Sequence, residues 1–484
     1  MYNGCMAMDL DRAEIRRVLE GTNPWWTGRS EPVPPFKRLA FYKCHKLLLD
    51  RTRPRAIALT GPRRVGKSVI LKQVASELLG SGVDPRSVLY ASFEHSLLKL
   101  VPLSRVLEVY RESFHPFGKP AFLLLDEIHY SPQWDTEVKY LVDQHPEYRI
   151  LATGSAITAT HGERESGVGR WETVKIPTLS FFEYLRLRDI EVGVNTTELA
   201  LSSVRRASDG DRTILCGKLR HLLPEFERYM LVGGFPETAK MPSIGDAQRL
   251  LHDDVVDRVL KRDMTSLFGV RSVPELERLF IYLCYHSGGI VKVQKCASEL
   301  EINRQTVQNY LDLLEQANLL YRLLPDGRGG KLALKGSSKY YLVDAAIRNA
   351  VLIKGEEVLR DPTELGKIAE TTVLRHAYAY HYSVPTRLAY WRDSATNLEI
   401  DIIVRLKGVT IPIEVKYRTN TLKDSLRPLH AFCGENLDVT RAYIVTRDEN
   451  DFGPLEEKIA NATIYRIPAH IMCLSLGSSE HDAK

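Results

Sequence analysis

The stretch from Ala56 to Ile70, AIALTGPRRVGKSVI, decides how the rest of the chain is interpreted. Its first residues are apolar or small and predict a buried strand, and the residues after Gly66 predict the start of a helix. The loop between them has the spacing G-x-x-x-x-G-K-[ST], formed by Gly61, Gly66, Lys67 and Ser68. In a loop of this kind the backbone N–H groups surround a phosphate chain. The stretch therefore predicts a nucleotide-binding edge on a parallel sheet.

We expect the whole loop to contact the nucleotide, so its remaining members are also candidates: Pro62, Arg63, Arg64 and Val65. Lys67 would reach the β and γ phosphates of ATP, and the hydroxyl of Ser68 would complete the ligand shell of Mg²⁺. A glycine-rich turn with a chance lysine is the structural alternative. The strand before the loop and the helix after it favour the nucleotide site.

A series of strands and helices follows this loop. From Arg55 to about Pro177 short apolar runs alternate with helical stretches, which is typical of a parallel sheet with crossover helices. One run, FLLL, ends in Asp126 and Glu127, at the edge where such sheets bind ligands. Asp126 is predicted to hold Mg²⁺, and Glu127 to orient or deprotonate the attacking water. A solvated turn would also explain two acids at the end of a strand.

The next predicted strand and the loop after it supply further candidates. The strand ends in Thr153, Gly154 and Ser155, small polar groups that are candidates to sense the γ-phosphate or to cap the next helix. Arg164 and Arg170 follow in a glycine-containing loop. A guanidinium in such a loop could act as an arginine finger on a neighbouring subunit's γ-phosphate. Arg170 is our candidate, and a solvated loop arginine is the alternative.

Five motifs stand in the order found in a large prokaryotic family of AAA-type ATPases: GPRRVGKS, FLLLDE, TGS, GR followed by IPTLSFFEYL, and YMLVGGFPE. The chain resembles this family from NPWW to the last predicted strand. The resemblance implies a AAA+ core with Arg170 as its finger. It also implies a C-terminal domain whose function has long been unassigned.

A second group of chemically active residues lies in the C-terminal part. A predicted helix presents Glu370, one predicted strand carries Asp401, and the next carries Glu414 and Lys416 on one face. Three carboxylates beside a lysine predict a site for one or two Mg²⁺ or Mn²⁺ ions at a phosphodiester. The set resembles the PD-(D/E)XK nuclease core, with Glu370 as its helical acid. A solvated hairpin or an inactive nuclease fold is the alternative.

The predicted fold class is multidomain α/β, in five parts. An N-terminal segment (1–50) packs on a AAA+ P-loop core (51–190), a helical lid or connector follows (191–272), and then come a winged helix (273–350) and a restriction-endonuclease-like PD-(D/E)XK domain (351–484). In the winged helix, the polar start of the third helix and the basic wing would meet DNA. Protein docking is the alternative use of that fold.

Composition sets outer bounds on the function. The 484 residues are 44% hydrophobic and 26% charged, with a formal net charge of +5, so bulk charge neither requires nor excludes nucleic acid. Seven cysteines without a zinc-like spacing suit free thiols in a reducing compartment. We also expect no membrane-spanning segment and a cytoplasmic protein.

Together these features predict an ATP-hydrolysing AAA+ protein, a homo-oligomer with nucleotide at its subunit interfaces. It would couple its nucleotide state to binding double-stranded or branched DNA and to metal-dependent phosphodiester cleavage. The alternative is a nucleotide-dependent switch or scaffold whose C-terminal domain binds a partner without cutting it.

Overall fold

The computed structural model describes most of the chain, except for residues 1–11, 51, 53–54, 100, 116–118, 155–168, 328–336, 383–385, 419–421, 457 and 483–484. It has two compact units. The first comprises residues 1–61 and 66–176, and the second comprises residues 62–65 and 177–484.

The first unit is built on a five-stranded sheet in the order β2-β3-β4-β1-β5, in which every pair is parallel. The strands are β1 (Ala56–Thr60), β2 (Val88–Ser92), β3 (Ala121–Asp126), β4 (Tyr148–Thr153) and β5 (Trp171–Lys175). Two helices, Arg12–Thr22 and Leu39–Leu49, precede β1, and the helices Lys67–Gly80, Leu103–Ser113 and Trp134–Gln144 lie between the first four strands. This arrangement confirms the predicted alternation of strands and helices. The carboxyl ends of the strands meet at one edge of the sheet.

Two adjacent tryptophans, Trp25 and Trp26, fix the N-terminal segment to this sheet. Both indole N–H groups donate to the main-chain oxygen of Val88, each over 3.0 Å. The ring of Trp26 also stacks on Tyr110 and Phe114. The pair therefore has a packing role.

The second unit begins with helices and short turns. Helices span Phe181–Leu187, Thr196–Leu199, Leu201–Arg206, Asp209–Leu219, Leu223–Val232, Pro236–Lys240 and Ile244–Leu250. A π-helical segment, Leu251–Asp263, continues into a last turn at Met264–Ser266. The predicted lid region thus has helices as its regular elements.

Three helices and three short strands come next. The helices are Val273–Tyr285, Val293–Leu300 and Arg304–Gln316, and the strands are β6 (Gly289–Val291), β7 (Leu320–Pro325) and β8 (Ser338–Leu342). The strands pair antiparallel in the order β6-β8-β7. Asn303 caps the third helix by accepting the N–H of Gln305 over 2.8 Å. The predicted wing residues Arg328, Lys331 and Lys335 lie outside the described residues.

The C-terminal strands extend the same sheet. They are β9 (Arg387–Arg392), β10 (Glu399–Leu406), β11 (Val409–Lys416), β12 (Arg441–Thr446), β13 (Gly453–Pro454) and β14 (Thr463–Pro468). Helices span Ala345–Leu352, Pro362–His381, Leu422–Glu435 and Ala469–Asp482. The nine strands have the order β13-β14-β12-β11-β10-β9-β7-β8-β6.

One short contact joins the two halves of this sheet. β7 pairs parallel with β9 at Leu324↔Ala389 and Pro325↔Tyr390. The side chain of Arg405, on β10, reinforces the junction through two 2.6 Å hydrogen bonds to Asp326. The sheet therefore crosses the predicted boundary between residues 350 and 351, and the division of this region into two domains stays a prediction.

The core of the C-terminal sheet lies beneath the helix Leu422–Glu435. Leu429, Phe432 and Cys433 from this helix pack on the buried residues Ile400 and Ile403 of β10. This layer packs on β10, the strand that carries the candidate site residue Asp401. All six cysteines in the described part of the chain are free and buried. None of its helices is long and apolar enough to cross a membrane.

Candidate functional site

The loop after β1 owes its course to two glycines. A Cβ atom on Gly61 would lie 2.1 Å from the carbonyl oxygen of Ile176, so no other residue fits there. Gly66 has a φ of 97°, which favours glycine, and it immediately precedes the helix Lys67–Gly80. The N–H groups of this helix's first turn point towards the end of β1, where the helix dipole favours an anion.

Lys67 lies within this site. Its side chain is buried, and its ammonium group donates to the carbonyl oxygen of Gly61 over 3.0 Å. The same nitrogen is 4.0 Å from a carboxylate oxygen of Glu127. The structure therefore brings together the lysine and the acid that the sequence assigns to the phosphates and to the attacking water.

The four loop residues between the glycines group with the second unit. The guanidinium of Arg63 forms a two-point ion pair with Asp263, through hydrogen bonds of 2.5 and 2.7 Å. Arg64 pairs with Glu237 and Asp254, each over 2.5 Å. Pro62 and Val65 supply main chain to the loop, and Val65 is fully buried.

Asp126 occupies the predicted position at the end of β3. One of its oxygens accepts a 2.5 Å hydrogen bond from the hydroxyl of Thr153, and the other accepts a 3.0 Å bond from the hydroxyl of Tyr90. Burial, followed by the negative charge of Glu127, raises the pKa of Asp126, while hydrogen bonds from Thr153, Ser68 and Tyr90 oppose that rise. The hydroxyl of Ser68 and a buried carboxylate thus lie together. This donor set fits Mg²⁺.

Thr153 connects Asp126 to Glu127. Besides donating to Asp126, its hydroxyl accepts the backbone N–H of Glu127 over 2.9 Å. Glu127 has a φ of 48°, an unusual conformation for a residue with a side chain. Its carboxylate also lies 3.3 Å from Nδ1 of His129, a residue that the sequence analysis did not single out. Thr153 therefore organises both acids, and Ser155 lies outside the described residues.

Arg170 lies at the opposite edge of the sheet. It precedes β5, whose first residue Trp171 is level with Ala56, the first residue of β1. The five residues of β1 therefore lie between the level of Arg170 and the loop, a distance of roughly 16 Å at ~3.3 Å per residue. Its guanidinium pairs with Asp143 over 2.7 and 2.9 Å. Arg170 is therefore placed away from its own loop, and its role as a finger towards a neighbour stays a prediction.

The second predicted group forms a cluster in the C-terminal sheet. Asp401 accepts the N–H of Val415 over 2.9 Å, and Glu414 accepts the N–H of Asp401 over 3.4 Å. Lys416 forms a 2.6 Å ion pair with Glu414. Glu370, from the helix Pro362–His381, completes the set of predicted residues that the fold brings together.

Three further residues belong to this cluster, and the sequence analysis did not assign them: Lys339, Tyr341 and Glu399. The ammonium group of Lys339, on β8, lies 2.5 Å from Glu399, 3.4 Å from Asp401 and 3.5 Å from Glu370. The hydroxyl of Tyr341 donates to Glu370 over 2.6 Å. We name these seven residues the carboxylate cluster: Lys339, Tyr341, Glu370, Glu399, Asp401, Glu414 and Lys416.

Burial dominates the electrostatics of the carboxylate cluster. Burial and then the charge of Asp401 raise the pKa of Glu370 to about 7 and that of Glu414 to about 8. Burial alone would lower the pKa of Lys339, but the surrounding oxygens hold it well above its ordinary value. Glu414 and its neighbours likewise raise the pKa of Lys416 against the effect of burial. Burial therefore disfavours the charged forms of Glu370 and Glu414 even with two ammonium groups beside them.

The carboxylates as placed do not fit a divalent ion. Oxygen donors suit Mg²⁺ or Mn²⁺, but those ions need several oxygens at roughly 2.0–2.2 Å. Among the described residues, only His252, Asp253 and Asp257 bring three potential ligand atoms, one nitrogen and two oxygens, close together, and they lie in the π-helical segment rather than in the carboxylate cluster. The acids of the cluster are engaged by ammonium and main-chain N–H groups instead.

Comparison with known protein families agrees with the geometry of the loop. Residues 53–185 match a family described as AAA domain. Residues 53–185 form a AAA-type P-loop domain. Residues 223–357 and 365–467 match two families described only as domains of unknown function, DUF8612 and DUF4143. The AAA domain and its paired acids support an ATPase of AAA type. The two matches in the second unit do not indicate a function.

Two relatives share much of the chain. An uncharacterized protein of Haemophilus influenzae is 26% identical over 367 residues, which cover 74% of this chain and 82% of the relative. Uncharacterized protein MJ1637 of Methanocaldococcus jannaschii is 25% identical over 338 residues, 69% of each chain.

Solved structures show a weaker likeness. The RuvB Holliday junction branch migration motor of Thermotoga maritima is 18% identical, with 59% of this chain and 90% of that chain covered and a TM-score of 0.26. AMPPCP-bound DnaA from Aquifex aeolicus is 15% identical at the same two coverages, with a TM-score of 0.24. At scores this low, neither structure bears on what this chain binds.

Proposed function

We propose that the AAA domain binds ATP with Mg²⁺ at the Gly61–Ser68 loop and hydrolyses it. The observation that carries the proposal is the hydrogen-bonded set at one sheet edge, in which Thr153 fixes Asp126 and Glu127 beside Lys67. Ser68 and Asp126 would hold the ion, and the ion would neutralise charge on the phosphates.

Glu127 would orient the attacking water, because its carboxylate lies next to the lysine that meets the γ-phosphate. The remaining γ-phosphate contacts belong to Ser155 and to Arg170 of a neighbouring subunit. A neighbour's finger requires an oligomer with nucleotide at its interfaces. The position of Arg170 at the far edge of its own sheet agrees with this part of the proposal, because it is too far from its own loop to act there.

The second unit is proposed to bind nucleic acid, with double-stranded or branched DNA as the substrate. In support, the order of elements from 273 to 342 is helix, strand, helix, helix, strand, strand, which is the order of a winged helix. The third helix is capped by Asn303 and begins with Arg304 and Gln305, polar groups suited to phosphates and base edges.

Metal-dependent phosphodiester cleavage is the further part of this proposal, and it requires Lys339 to leave the carboxylates, which as placed do not fit a divalent ion. Its support is the convergence of Asp401, Glu414 and Lys416 with Glu370, the residues expected of a PD-(D/E)XK core. ATP turnover would then control when DNA reaches the carboxylate cluster.

A second candidate function rests on Lys339. Its ammonium group already contacts three of the acids, which favours a nucleotide-dependent switch whose C-terminal part binds a partner without cutting it. The two functions differ in one measurable property, the cleavage of DNA.

Two experiments test these proposals. Purified protein is incubated with linear, branched and single-stranded DNA in Mg²⁺ or Mn²⁺, with and without ATP, and Asp401→Ala is the control. Cleavage by the wild type that Asp401→Ala does not show supports the nuclease. If the wild type cuts no substrate more than Asp401→Ala does, the nuclease is refuted and the nucleotide-dependent switch is supported. In the second, Lys67→Ala should abolish ATP binding, and mixing it with Arg170→Ala subunits should restore some ATPase activity. Intact mixed oligomers without any activity would rule out the finger.

A further inference from the structure

The side chain of Lys339 enters the carboxylate cluster from a separate part of the sheet. It lies on β8, whereas the acids lie on β10, β11 and the helix Pro362–His381. Only 1% of its side chain is exposed. A buried lysine needs compensating partners, and here three carboxylates and the hydroxyl of Tyr341 surround one nitrogen.

The ammonium group lies among carboxylates that a metal ion would need as ligands. Its distances of 2.5, 3.4 and 3.5 Å to Glu399, Asp401 and Glu370 place it between acids that come from different elements. The other oxygens are also engaged, since Asp401 accepts the N–H of Val415. A divalent ion could gain these ligands only by displacing the ammonium group, because two cations sharing the same oxygens repel each other strongly at low dielectric.

The lysine also has a structural reason to be there. Four acidic side chains of the cluster face only two ammonium groups within it, Lys339 and Lys416. Unpaired buried carboxylates destabilise a fold strongly, most of all when one partner of a buried pair is removed. A cation at this point therefore lets β8, β10 and the Glu370 helix pack together without a metal.

We infer that Lys339 is the resident cation of the carboxylate cluster and sets its affinity for divalent ions. The inference rests on the acid site of the proposed function and changes what is expected of it: the intact chain binds Mn²⁺ weakly there, and loss of the lysine's charge opens the site. Because β8 is also a strand of the predicted wing, a ligand that moves this strand would move the lysine as well.

The test measures Mn²⁺ binding to the full chain by calorimetry without nucleotide. Lys339→Met removes the charge and keeps the length of the side chain, and Lys339→Arg keeps the charge. Lys339→Met should bind one Mn²⁺ at least about tenfold more tightly than wild type, a change of ~1.4 kcal/mol. Lys339→Arg should bind as weakly as wild type, and Lys339→Met combined with Asp401→Asn should lose the gain.

Two results would overturn the inference. One is a wild-type chain that binds Mn²⁺ through Asp401 as tightly as Lys339→Met does. The other is a gain in affinity that survives Asp401→Asn, since the ion would then be bound elsewhere. If Lys339→Met does not fold alone, circular dichroism is followed during Mn²⁺ addition. Recovery that Asp401→Asn abolishes supports the inference, and no recovery overturns it.

The outcome is separable from the nuclease proposal. A Lys339→Met protein that gains Mn²⁺ affinity but cuts no DNA would refute cleavage and leave the role of Lys339 standing. A wild-type protein that cuts DNA and binds Mn²⁺ as tightly as Lys339→Met would support cleavage and refute the role of Lys339.

Discussion

Replacing Thr153 by valine tests how the two acids of the AAA domain are organised. Valine has nearly the same shape as threonine but lacks the hydroxyl, so the change removes two hydrogen bonds without opening a cavity. One bond runs to the carboxylate of Asp126 over 2.5 Å, and the other comes from the N–H of Glu127 over 2.9 Å. Thr153 is fully buried, so water cannot replace either bond.

The size of the effect follows from these two contacts. A hydrogen bond to a charged group contributes about 1.5–3 kcal/mol, and a buried N–H left without a partner costs about 1–3 kcal/mol. We expect Thr153→Val to lower the free energy of unfolding of the first unit by ~3–5 kcal/mol. The main chain of Glu127, held at a φ of 48°, also loses its anchor. Displacing a reacting group by about 1 Å costs on the order of a hundredfold in rate, so the ATPase kcat should fall by ~10- to 100-fold.

Thr60→Val is the matched control. Thr60 ends the neighbouring strand β1 and is also fully buried, but its hydroxyl has no hydrogen-bond partner among the described residues. Its replacement should therefore leave stability and turnover close to wild type. The assays are urea unfolding, steady-state ATP hydrolysis and the affinity for a fluorescent ATP analogue.

The result that would refute this reasoning is a Thr153→Val protein that turns over ATP as fast as Thr60→Val. An equal loss of rate in both variants would also refute it, because the effect would then be due to any change at this sheet edge.

Three more outcomes are expected. Glu127→Gln should keep ATP affinity and abolish turnover; hydrolysis at the wild-type rate would remove Glu127 as the water-orienting acid. Arg405→Met should lower the free energy of unfolding by ~3 kcal/mol, since it leaves the buried carboxylate of Asp326 unpaired. Urea unfolding measures this change, and Arg405→Lys should lower the free energy of unfolding less. Burial lowers the pKa of His470 to about 4, although Glu449 lies 4.0 Å away. The unfolded chain therefore takes up this proton first as the pH falls from 6.5 towards 4, so stability is lost in that window, by ~2 kcal/mol at pH 5; His470→Gln should show a smaller loss.

The nucleotide site could be predicted from the sequence because its signals are local. Gly61, Gly66 and Lys67 lie within one loop, and Asp126 follows an unbroken apolar run, so strand, loop and helix each have a contiguous signature. What the sequence did not show is the hydroxyl of Thr153 between the two acids. That contact depends on β3 and β4 being neighbours, which is a property of the sheet order.

The carboxylate cluster was predicted only in part, for a related reason. Glu414 and Lys416 are two residues apart and so share a strand face, and Asp401 lies on the strand paired with theirs. The two-residue period of a strand and the predicted hairpin therefore identify all three. Glu399 shares the face of Asp401 and could have been found by the same rule. Lys339 carried a weaker signal, a lysine within the fully buried strand SKYYL. Its partners lie on other elements, so only the assembled sheet identifies its role.

The β7–β9 junction has a consequence for anyone who dissects this protein. It joins, through two residue pairs, strands that a division at residue 351 would separate. A fragment 351–484 would leave β9 as an open edge that invites pairing with other copies. It would also leave Glu370, Glu399 and Asp401 without Lys339. Such a fragment should aggregate more readily and take up metal ions more avidly than the chain from which it was cut, so its properties would not describe the parent protein.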